Sequence, residues 1–325
     1  MHNVAIVSSA LLSLVFFSAD HAAGEEAVTG RDYQTVVAAS SEPLIARSSY
    51  RLWVPDDTPV IRSLFVINMR GAGRRLFVDP EWRAMADRNS AAILYCEFEA
   101  KSVRDNGYGL SILKACEQFA ETLNRPELRH APFVLWGHSM GGRVAQDFVR
   151  FKPARVIAFH IALRANPTPK ELMEEEAAAV EVPGLYLMGM NDGKPADIRE
   201  HFREARRNGS PRAWVWLPGQ SHWPKGMHFE KDETSVIDWR AWAAHDIVIP
   251  WTEAILKLRL PMNADPRKGS VDLLPVDLTK GWVADVELKA YGPVSKFDAI
   301  DSAKSWFPNE KVTRAWASDS ISESD

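Results

Sequence analysis

The stretch "FVLWGHSMGGRVAQDF", residues 133–148, places a serine on a sharp corner of the chain. An apolar run typical of a buried strand stops at Gly137, and the amphipathic pattern of a helix begins directly after Ser139. The corner fits G-x-S-x-G, a pattern in which a strained strand-to-helix turn presents a serine hydroxyl. Chance supplies that pattern in roughly one chain of this length in ten, so the rest of the sequence must decide its significance.

Apolar runs and amphipathic stretches alternate on both sides of this corner. Continuous apolar runs indicate strands that are buried on both faces of a parallel sheet. They occupy residues 63–69, 91–98, 133–139, 155–163, 185–190 and 213–217. Helical patterns fill residues 80–89, 110–124, 140–151, 197–207 and 238–258. We therefore predict an α/β fold with a mostly parallel central sheet flanked by helices.

From about Ser48 to Leu260 the chain resembles the α/β-hydrolases, and "GHSMGG" resembles the corner of their secreted esterase, lipase and cutinase branch. The resemblance implies that Ser139 is the nucleophile of an acyl transfer. Gly137 and Gly141 would allow the strained backbone that lifts its hydroxyl clear of the sheet. The free N–H groups of the following helix would face the negative charge that develops during reaction. A tight turn that merely feeds a packed helix is the alternative.

A serine hydroxyl needs a base, and the family order is serine, then an acid, then histidine. His222 follows the apolar run of "WVWLPGQSHW" on a loop, which is where the resemblance places the catalytic base. His160 lies in a strand pattern, and His201 and His245 lie in helical patterns, so we expect these three to be packing or surface residues. His228 is the reserve candidate for the base.

The acid is expected on the loop after "LYLMGM", where Asp192 precedes a glycine. By resemblance, its carboxylate would accept the Nδ1 proton of the base, fix the tautomer and stabilise the imidazolium. Asn-Asp-Gly is also ordinary turn chemistry, which is the alternative for this position. Asp197 is a second candidate, although its place favours a helix start.

Two backbone N–H groups are expected to form an oxyanion hole. The resemblance implies the N–H of Met140, the residue after the nucleophile, and by position the N–H of Ala72 in the loop "NMRGAGRR". This loop carries Arg70-Gly71 where many family members carry His-Gly, so the match is imperfect. A bland glycine turn would explain the same residues. The mechanism requires no metal and no organic cofactor.

The spacing between two strands indicates an open cleft. Family members insert their lids and caps most often after the strand that follows the corner helix, and here only residues 164–183 are available for one. We therefore predict no large cap domain and a cleft suited to bulky or polymeric esters. Trp223 and Arg164 are candidates for lining it. Core packing for the tryptophan and solvent exposure for the arginine are the alternatives.

The N-terminus resembles a secretory signal peptide. An apolar stretch over residues 4–19 precedes Ala22, Ala23 and Gly24, although the segment before it has no lysine or arginine, so an uncleaved anchor is the alternative. We predict a signal peptide at 1–24 and an exported protein, periplasmic or extracellular, without stable membrane insertion after cleavage. The net charge of -4 provides no basic field for nucleic acid.

The catalytic domain is predicted at residues 25–260, followed by a C-terminal extension. Residues 261–317 are rich in proline, aspartate and tryptophan, and we expect them to pack on the domain. The acidic, serine-rich end at 318–325 predicts a disordered tail. Only two cysteines occur, Cys96 and Cys116, and we favour buried free thiols over a disulfide.

These observations predict an exported serine hydrolase that cleaves carboxylic esters through an acyl-enzyme intermediate. Its partner is a small-molecule or polymeric ester. A serine peptidase of the prolyl-oligopeptidase type has the same fold and residue order, but few residues precede the sheet here for the propeller domain that such peptidases usually carry. A non-catalytic binding protein with a hydrolase fold is the alternative from another class, and Arg70 is its main support.

Overall fold

An eight-stranded sheet lies at the centre of the computed structural model, which describes residues 28–68, 73–97, 103, 106–163, 177–193, 196–223, 242–285, 288, 290–297 and 304–321. The strands in chain order are β1 (Gly30–Val37), β2 (Ser40–Ser41), β3 (Leu44–Ile45), β4 (Ser48–Pro55), β5 (Ser63–Asn68), β6 (Ala91–Glu97), β7 (Phe133–His138), β8 (Val156–Ala162), β9 (Gly184–Gly189), β10 (Arg212–Leu217), β11 (Trp282–Asp285), β12 (Ala290–Pro293) and β13 (Ser305–Phe307). The predicted signal peptide lies outside the described residues.

The strand order of the central sheet is β1-β4-β6-β5-β7-β8-β9-β10. Strand β4 runs antiparallel to both of its neighbours, and all pairs from β6 to β10 are parallel. The predicted mostly parallel sheet is confirmed. Strand β1 was not predicted because only one of its residues is buried, so this edge strand lacks the apolar run that marks the inner strands.

Helices cover both faces of the sheet, as predicted. They are α1 (Gly73–Val78), α2 (Pro80–Arg88), α3 (Tyr108–Thr122), α4 (Met140–Phe151), α5 (Ala177–Val180), α6 (Ala196–Arg207), α7 (His245–Arg259) and α8 (Glu310–Ile321). Residues of α1, α2 and α7 share one core with the sheet, and residues of α3, α4 and α6 share the other. In the described part of the chain, none of the helices has the length and apolarity needed to cross a lipid bilayer.

The chain reverses its direction of travel across the sheet between β5 and β7. Strand β6 pairs with one side of β5, and β7 pairs with the other side. In open parallel sheets, ligands bind outside the carboxyl ends of strands at such a switch point. Here those ends are Asn68 on β5 and His138 on β7, and the serine corner follows His138 directly.

The C-terminal extension packs on the outer edge of β10. Strands β11, β12 and β13 form a small sheet of their own. The backbone N–H of Trp214 in β10 donates to Ser305 Oγ at 2.8 Å, and the Trp316 indole N–H donates to the Trp214 carbonyl at 3.0 Å. Side chains of the extension therefore satisfy backbone groups of a sheet edge that would otherwise be open to pairing with another chain.

The C-terminal end of the chain differs from the prediction. Helix α8 continues to Ile321, so residues 318–321 are helical rather than part of a disordered tail. Buried Val312 and Trp316 anchor this helix on the domain.

The two cysteines, Cys96 and Cys116, are buried free thiols, as favoured, and burial raises the pKa of Cys116 to about 12.

The edge contact predicts a difference between two serines of the extension. Ser305→Ala leaves the buried Trp214 N–H without its acceptor, so the free energy of unfolding should fall by about 1–3 kcal/mol. Ser318→Ala removes an exposed hydroxyl that donates to the Ala315 carbonyl within α8, and should change the free energy of unfolding by less than about 0.5 kcal/mol. Urea denaturation of both variants measures the difference. Equal midpoints for the two variants would show that the edge contact adds no stability.

Buried His160 predicts a loss of stability in acid. Its Nδ1 lies 3.1 Å from the Leu135 carbonyl and its Nε2 lies 3.0 Å from Thr252 Oγ1, and burial lowers its pKa from 6.5 to about 3. Between these pH values the unfolded chain binds a proton that the folded chain does not. The stability contributed by neutral His160 is therefore complete above pH 6.5 and is lost as the pH falls toward 3.

Denaturation at a series of pH values tests this linkage. His160→Gln should remove a slope of up to about 1.4 kcal/mol per pH unit from the dependence of the free energy of unfolding on pH. Thr252→Val is the control, because it removes one hydrogen bond but keeps the titrating ring and hence the slope. A wild-type slope in His160→Gln would contradict the linkage.

Candidate active site

Ser139 occupies the strained corner between β7 and α4. Its backbone has φ 53° and ψ -119°, a conformation that costs a residue with a Cβ about 1–3 kcal/mol. Hydrogen bonds on both sides hold it in place: the Ser139 N–H donates to the Ala162 carbonyl at 3.0 Å, and the Ser139 carbonyl accepts the Gly142 N–H at 3.0 Å. The corner is therefore locked by the neighbouring strand and by the first turn of α4.

Gly137 and Gly141 let the corner close on itself and on the sheet. A Cβ at Gly137 would overlap the backbone of Gly141, and a Cβ at Gly141 would overlap the carbonyl oxygen of Asn68 at the end of β5. Both positions require glycine because backbone atoms, rather than flexible side chains, occupy the space. The start of α4 consequently lies directly against the strand that precedes the predicted oxyanion loop.

The structure brings the predicted serine, histidine and aspartate together. His222 Nε2 lies 3.0 Å from Ser139 Oγ, and His222 Nδ1 lies 3.0 Å and 3.1 Å from the two carboxylate oxygens of Asp192. An ionised carboxylate only accepts hydrogen bonds, so the proton of a neutral His222 belongs on Nδ1. Nε2 is then free to accept the hydroxyl proton of Ser139.

Asp192 and His222 lie on the loops that follow two neighbouring strands. Asp192 lies in the turn that follows β9, where its N–H donates to the Gly189 carbonyl at 3.1 Å. His222 lies on the loop that follows β10, after Gly219 with φ 66°. The Asn191 N–H donates to the Gln220 carbonyl at 3.0 Å, which ties the two loops together. Because β9 and β10 are parallel, both loops leave the sheet at the same edge as Ser139.

The other histidine and aspartate candidates lie elsewhere or outside the described residues. His160 is buried in β8, His201 is buried in α6, and His245 is buried at the start of α7, which fits the expectation that they are packing residues. Residue His228 and the side chain of Asp197 lie outside the described part of the chain. The histidine and aspartate that are hydrogen-bonded at Ser139 are therefore the two that the sequence analysis preferred, His222 and Asp192.

One of the two predicted oxyanion donors can be placed. Met140 is the first residue of α4, so its N–H belongs to the helix turn whose donors have no acceptor within the helix. Ala72, the second predicted donor, and Arg70 lie outside the described residues. Strand β5 ends at Asn68, next to Gly141, so the predicted loop starts beside the corner.

The two predicted substrate-lining residues have different outcomes. Half-buried Trp223 packs against the site, with its ring centroid 4.5 Å from that of His138 and 5.1 Å from that of His222. It also contacts the core on that face of the sheet, which agrees with the packing alternative. Arg164 lies outside the described residues.

Sequence reasoning gave no role to three side chains near Ser139, Asp192 and His222. Met140 and Met190 have exposed apolar side chains, one next to Ser139 and one two residues before Asp192. Large apolar residues within two positions of a strand end were the available signal. His138, buried under His222, was quoted within the motif without a role, and its position before the serine gave no hint of its contacts.

The described residues contain no group of three or more histidine, cysteine, aspartate or glutamate side chains arranged to hold a metal ion. Burial lowers the pKa of His138 to about 3. The hydrogen bond to the His222 carbonyl raises this pKa by a smaller amount, and the nearby His222 ring lowers it slightly further. His138 is therefore uncharged at neutral pH, and Asp192 supplies the negative charge that faces the His222 ring.

Comparisons with known proteins were made for the whole chain. No protein-family model and no curated protein sequence matches it. Among solved structures, a cold-adapted esterase from an Arctic intertidal metagenomic library matches 71% of this chain and 95% of its own, with 12% identity and a TM-score of 0.47. A ferulic acid esterase matches 70% and 99%, with 13% identity and a TM-score of 0.47.

An S-formylglutathione hydrolase from Agrobacterium tumefaciens matches 61% of this chain and 91% of its own, with 13% identity and a TM-score of 0.43. Likenesses of this strength assign no activity to the chain. The strand order, the antiparallel second strand and the serine corner after β7 are features of the chain itself. On these features the predicted α/β-hydrolase fold is confirmed.

The contact between Gly141 and Asn68 predicts an unusual sign for a helix substitution. Replacing a helical glycine with alanine ordinarily stabilises a protein by about 1 kcal/mol. Gly141→Ala should instead destabilise this protein, because the added Cβ overlaps the Asn68 carbonyl oxygen and forces α4 away from β5. Thermal and urea denaturation measure the sign. An alanine variant as stable as the wild type would refute the close approach.

Proposed function

We propose that this protein is a serine hydrolase that cleaves carboxylic esters, with Ser139 as nucleophile, His222 as general base and Asp192 as the residue that orients the base. One observation carries the proposal. A serine held at φ 53° at the switch point of the sheet is joined by hydrogen bonds to a histidine and an aspartate in that order.

In the first half of the reaction, Ser139 Oγ attacks the ester carbonyl while its proton passes to His222 Nε2. The Asp192 carboxylate, in hydrogen-bond contact with Nδ1, stabilises the imidazolium that forms. The tetrahedral intermediate collapses by breaking the bond to the alcohol oxygen, which takes the proton from Nε2. The acyl group remains on Ser139 as an ester.

In the second half, water takes the place of the alcohol. His222 Nε2 accepts a proton from the water as its oxygen attacks the acyl-enzyme, and returns that proton to Ser139 Oγ when the acid leaves. We assign the oxyanion hole to the N–H groups of Met140 and Ala72. The place of Met140 at the start of α4 supports the first, because the helix N-terminus favours negative charge.

We propose an open cleft that accepts bulky or polymeric esters, with Trp223 and Arg164 at its edge. The short connection between β8 and β9, residues 163–183, supports this, since it is too short for a cap domain. The exposed side chains of Met140 and Met190 support an apolar group on the substrate, because exposed apolar surface beside a polar site is typical of ligand recognition.

We also propose that the protein is exported to the periplasm or the extracellular space. The support is the apolar stretch of residues 4–19, followed by the small residues Ala22, Ala23 and Gly24. Such a location brings the enzyme into contact with esters too large to enter a cell.

A fluorophosphonate probe and an ester panel test the proposal. Wild-type protein should be labelled on Ser139, and Ser139→Ala should lose labelling and at least about four orders of magnitude in kcat on p-nitrophenyl esters. Asp192→Asn should lose about the same factor, because the amide favours the wrong tautomer of His222. Mass spectrometry locates the label, and kinetics on esters of increasing chain length measure the preference for apolar groups.

Ser90→Ala is the matched control. Ser90 also has a positive φ, 52°, but it precedes β6 at the opposite end of the sheet. We expect wild-type labelling and activity for it. Absence of labelling in folded wild-type protein would favour the binding-protein alternative, and faster turnover of prolyl amides than of esters would favour the peptidase.

A further inference from the structure

His138 lies under the proposed catalytic histidine and contacts its backbone. Its Nε2 is 2.7 Å from the carbonyl oxygen of His222, and the two ring centroids are 4.8 Å apart. The rings of Trp223 and Trp242 pack against His138 at 4.5 Å and 5.0 Å. Only 3% of the residue is exposed to solvent.

The chemistry of this contact fixes the protonation of the ring. A carbonyl oxygen only accepts hydrogen bonds, so Nε2 of His138 must be the donor. Burial lowers the pKa of the ring to about 3, so His138 is neutral at the pH values at which a serine hydrolase works. Its proton therefore sits on Nε2, and the ring is a fixed donor rather than a titrating group.

The contact joins two parts of the site that the chain order keeps far apart. His138 directly precedes Ser139 in the chain, whereas His222 lies on the loop after β10. The Asn191 N–H already ties that loop to the turn that holds Asp192, at 3.0 Å from the Gln220 carbonyl. The bond from His138 adds the missing tie, from the serine strand to the histidine loop.

We propose that His138 is a positioning residue that holds the peptide carbonyl of His222, and thereby keeps the His222 imidazole within hydrogen-bond distance of Ser139. The proposal rests on the proposed function for its catalytic consequence. Its physical basis is that the His222 ring is 29% exposed and lies on a loop that follows a glycine, so packing alone leaves the ring room to move. The hydrogen bond removes that freedom.

Two substitutions separate the hydrogen bond from the packing. His138→Phe keeps an aromatic ring between Trp223 and Trp242 but has no N–H group to donate. His138→Gln loses the ring but can place an amide N–H near the position of Nε2. If the ring served only to fill space, phenylalanine would be the better replacement. If it serves to donate a hydrogen bond, glutamine would be the better replacement.

We expect His138→Phe to lower kcat by about 100-fold, the loss typical of a catalytic group misplaced by about 1 Å. KM should change little, because the substrate contacts remain. His138→Gln should recover most of that kcat even if it is the less stable protein. His160→Phe is the matched control: His160 is equally buried and also bonds a carbonyl, that of Leu135, but it does not contact the triad.

Kinetics on a p-nitrophenyl ester and imidazole N–H signals in ¹⁵N NMR spectra provide the two readouts. The proton on His222 Nδ1 should give a slowly exchanging signal in wild-type protein and in His160→Phe, and should lose that protection in His138→Phe. An unchanged His222 signal in His138→Phe would overturn the proposal, and so would equal kcat losses in His138→Phe and His160→Phe. Wild-type protein that neither turns over esters nor reacts with a fluorophosphonate defeats the proposed function alone, since the NMR comparison still decides the role of His138.

Discussion

The contact between the first turn of α4 and the end of β5 is the constraint on which the site depends. Gly141 leaves the space that the Asn68 carbonyl oxygen occupies, so the helix starts against the neighbouring strand instead of above it. Because of this close approach, the backbone must turn sharply between β7 and α4, and Ser139 makes that turn with a φ of 53°. The strain of about 1–3 kcal/mol is tolerated because the surrounding sheet, buried on both faces, holds the corner in place.

Parallel pairing does the rest of the assembly. Strands β7, β9 and β10 end at the same edge, so residues that are far apart in sequence, Ser139, Asp192 and His222, leave the sheet side by side. The C-terminal extension contributes indirectly, because Ser305 and Trp316 satisfy the outer backbone groups of Trp214 in β10. The edge strand β10, which is followed by the loop that holds the proposed catalytic histidine, is thereby protected from pairing with another chain.

The sequence was sufficient to predict the inner strands, most helices and which serine, aspartate and histidine lie together, because each has a local signal. Buried parallel strands are continuous apolar runs, and Asp192 and His222 follow two of them. The signal failed where structure depends on distant partners. Strand β1 is visible only through its pairing with β4, and the helix that reaches Ile321 depends on the packing of Trp316. The role of His138 depends on a carbonyl 84 residues away, which no local pattern records.

His138 and His160 show why polar side chains persist inside this core. Both lie in strands of the sheet, both are buried, and in both the ring is kept neutral because burial disfavours its charged form. An apolar residue of similar size would pack as well. It would not, however, favour one position of a neighbouring loop or helix over another position a few tenths of an ångström away. Each ring makes a hydrogen bond to a defined atom of that loop or helix, the His222 carbonyl oxygen in one case and the Thr252 hydroxyl in the other. A hydrogen bond is strongly directional where packing is not, so these two histidines supply positional precision that the apolar core around them cannot.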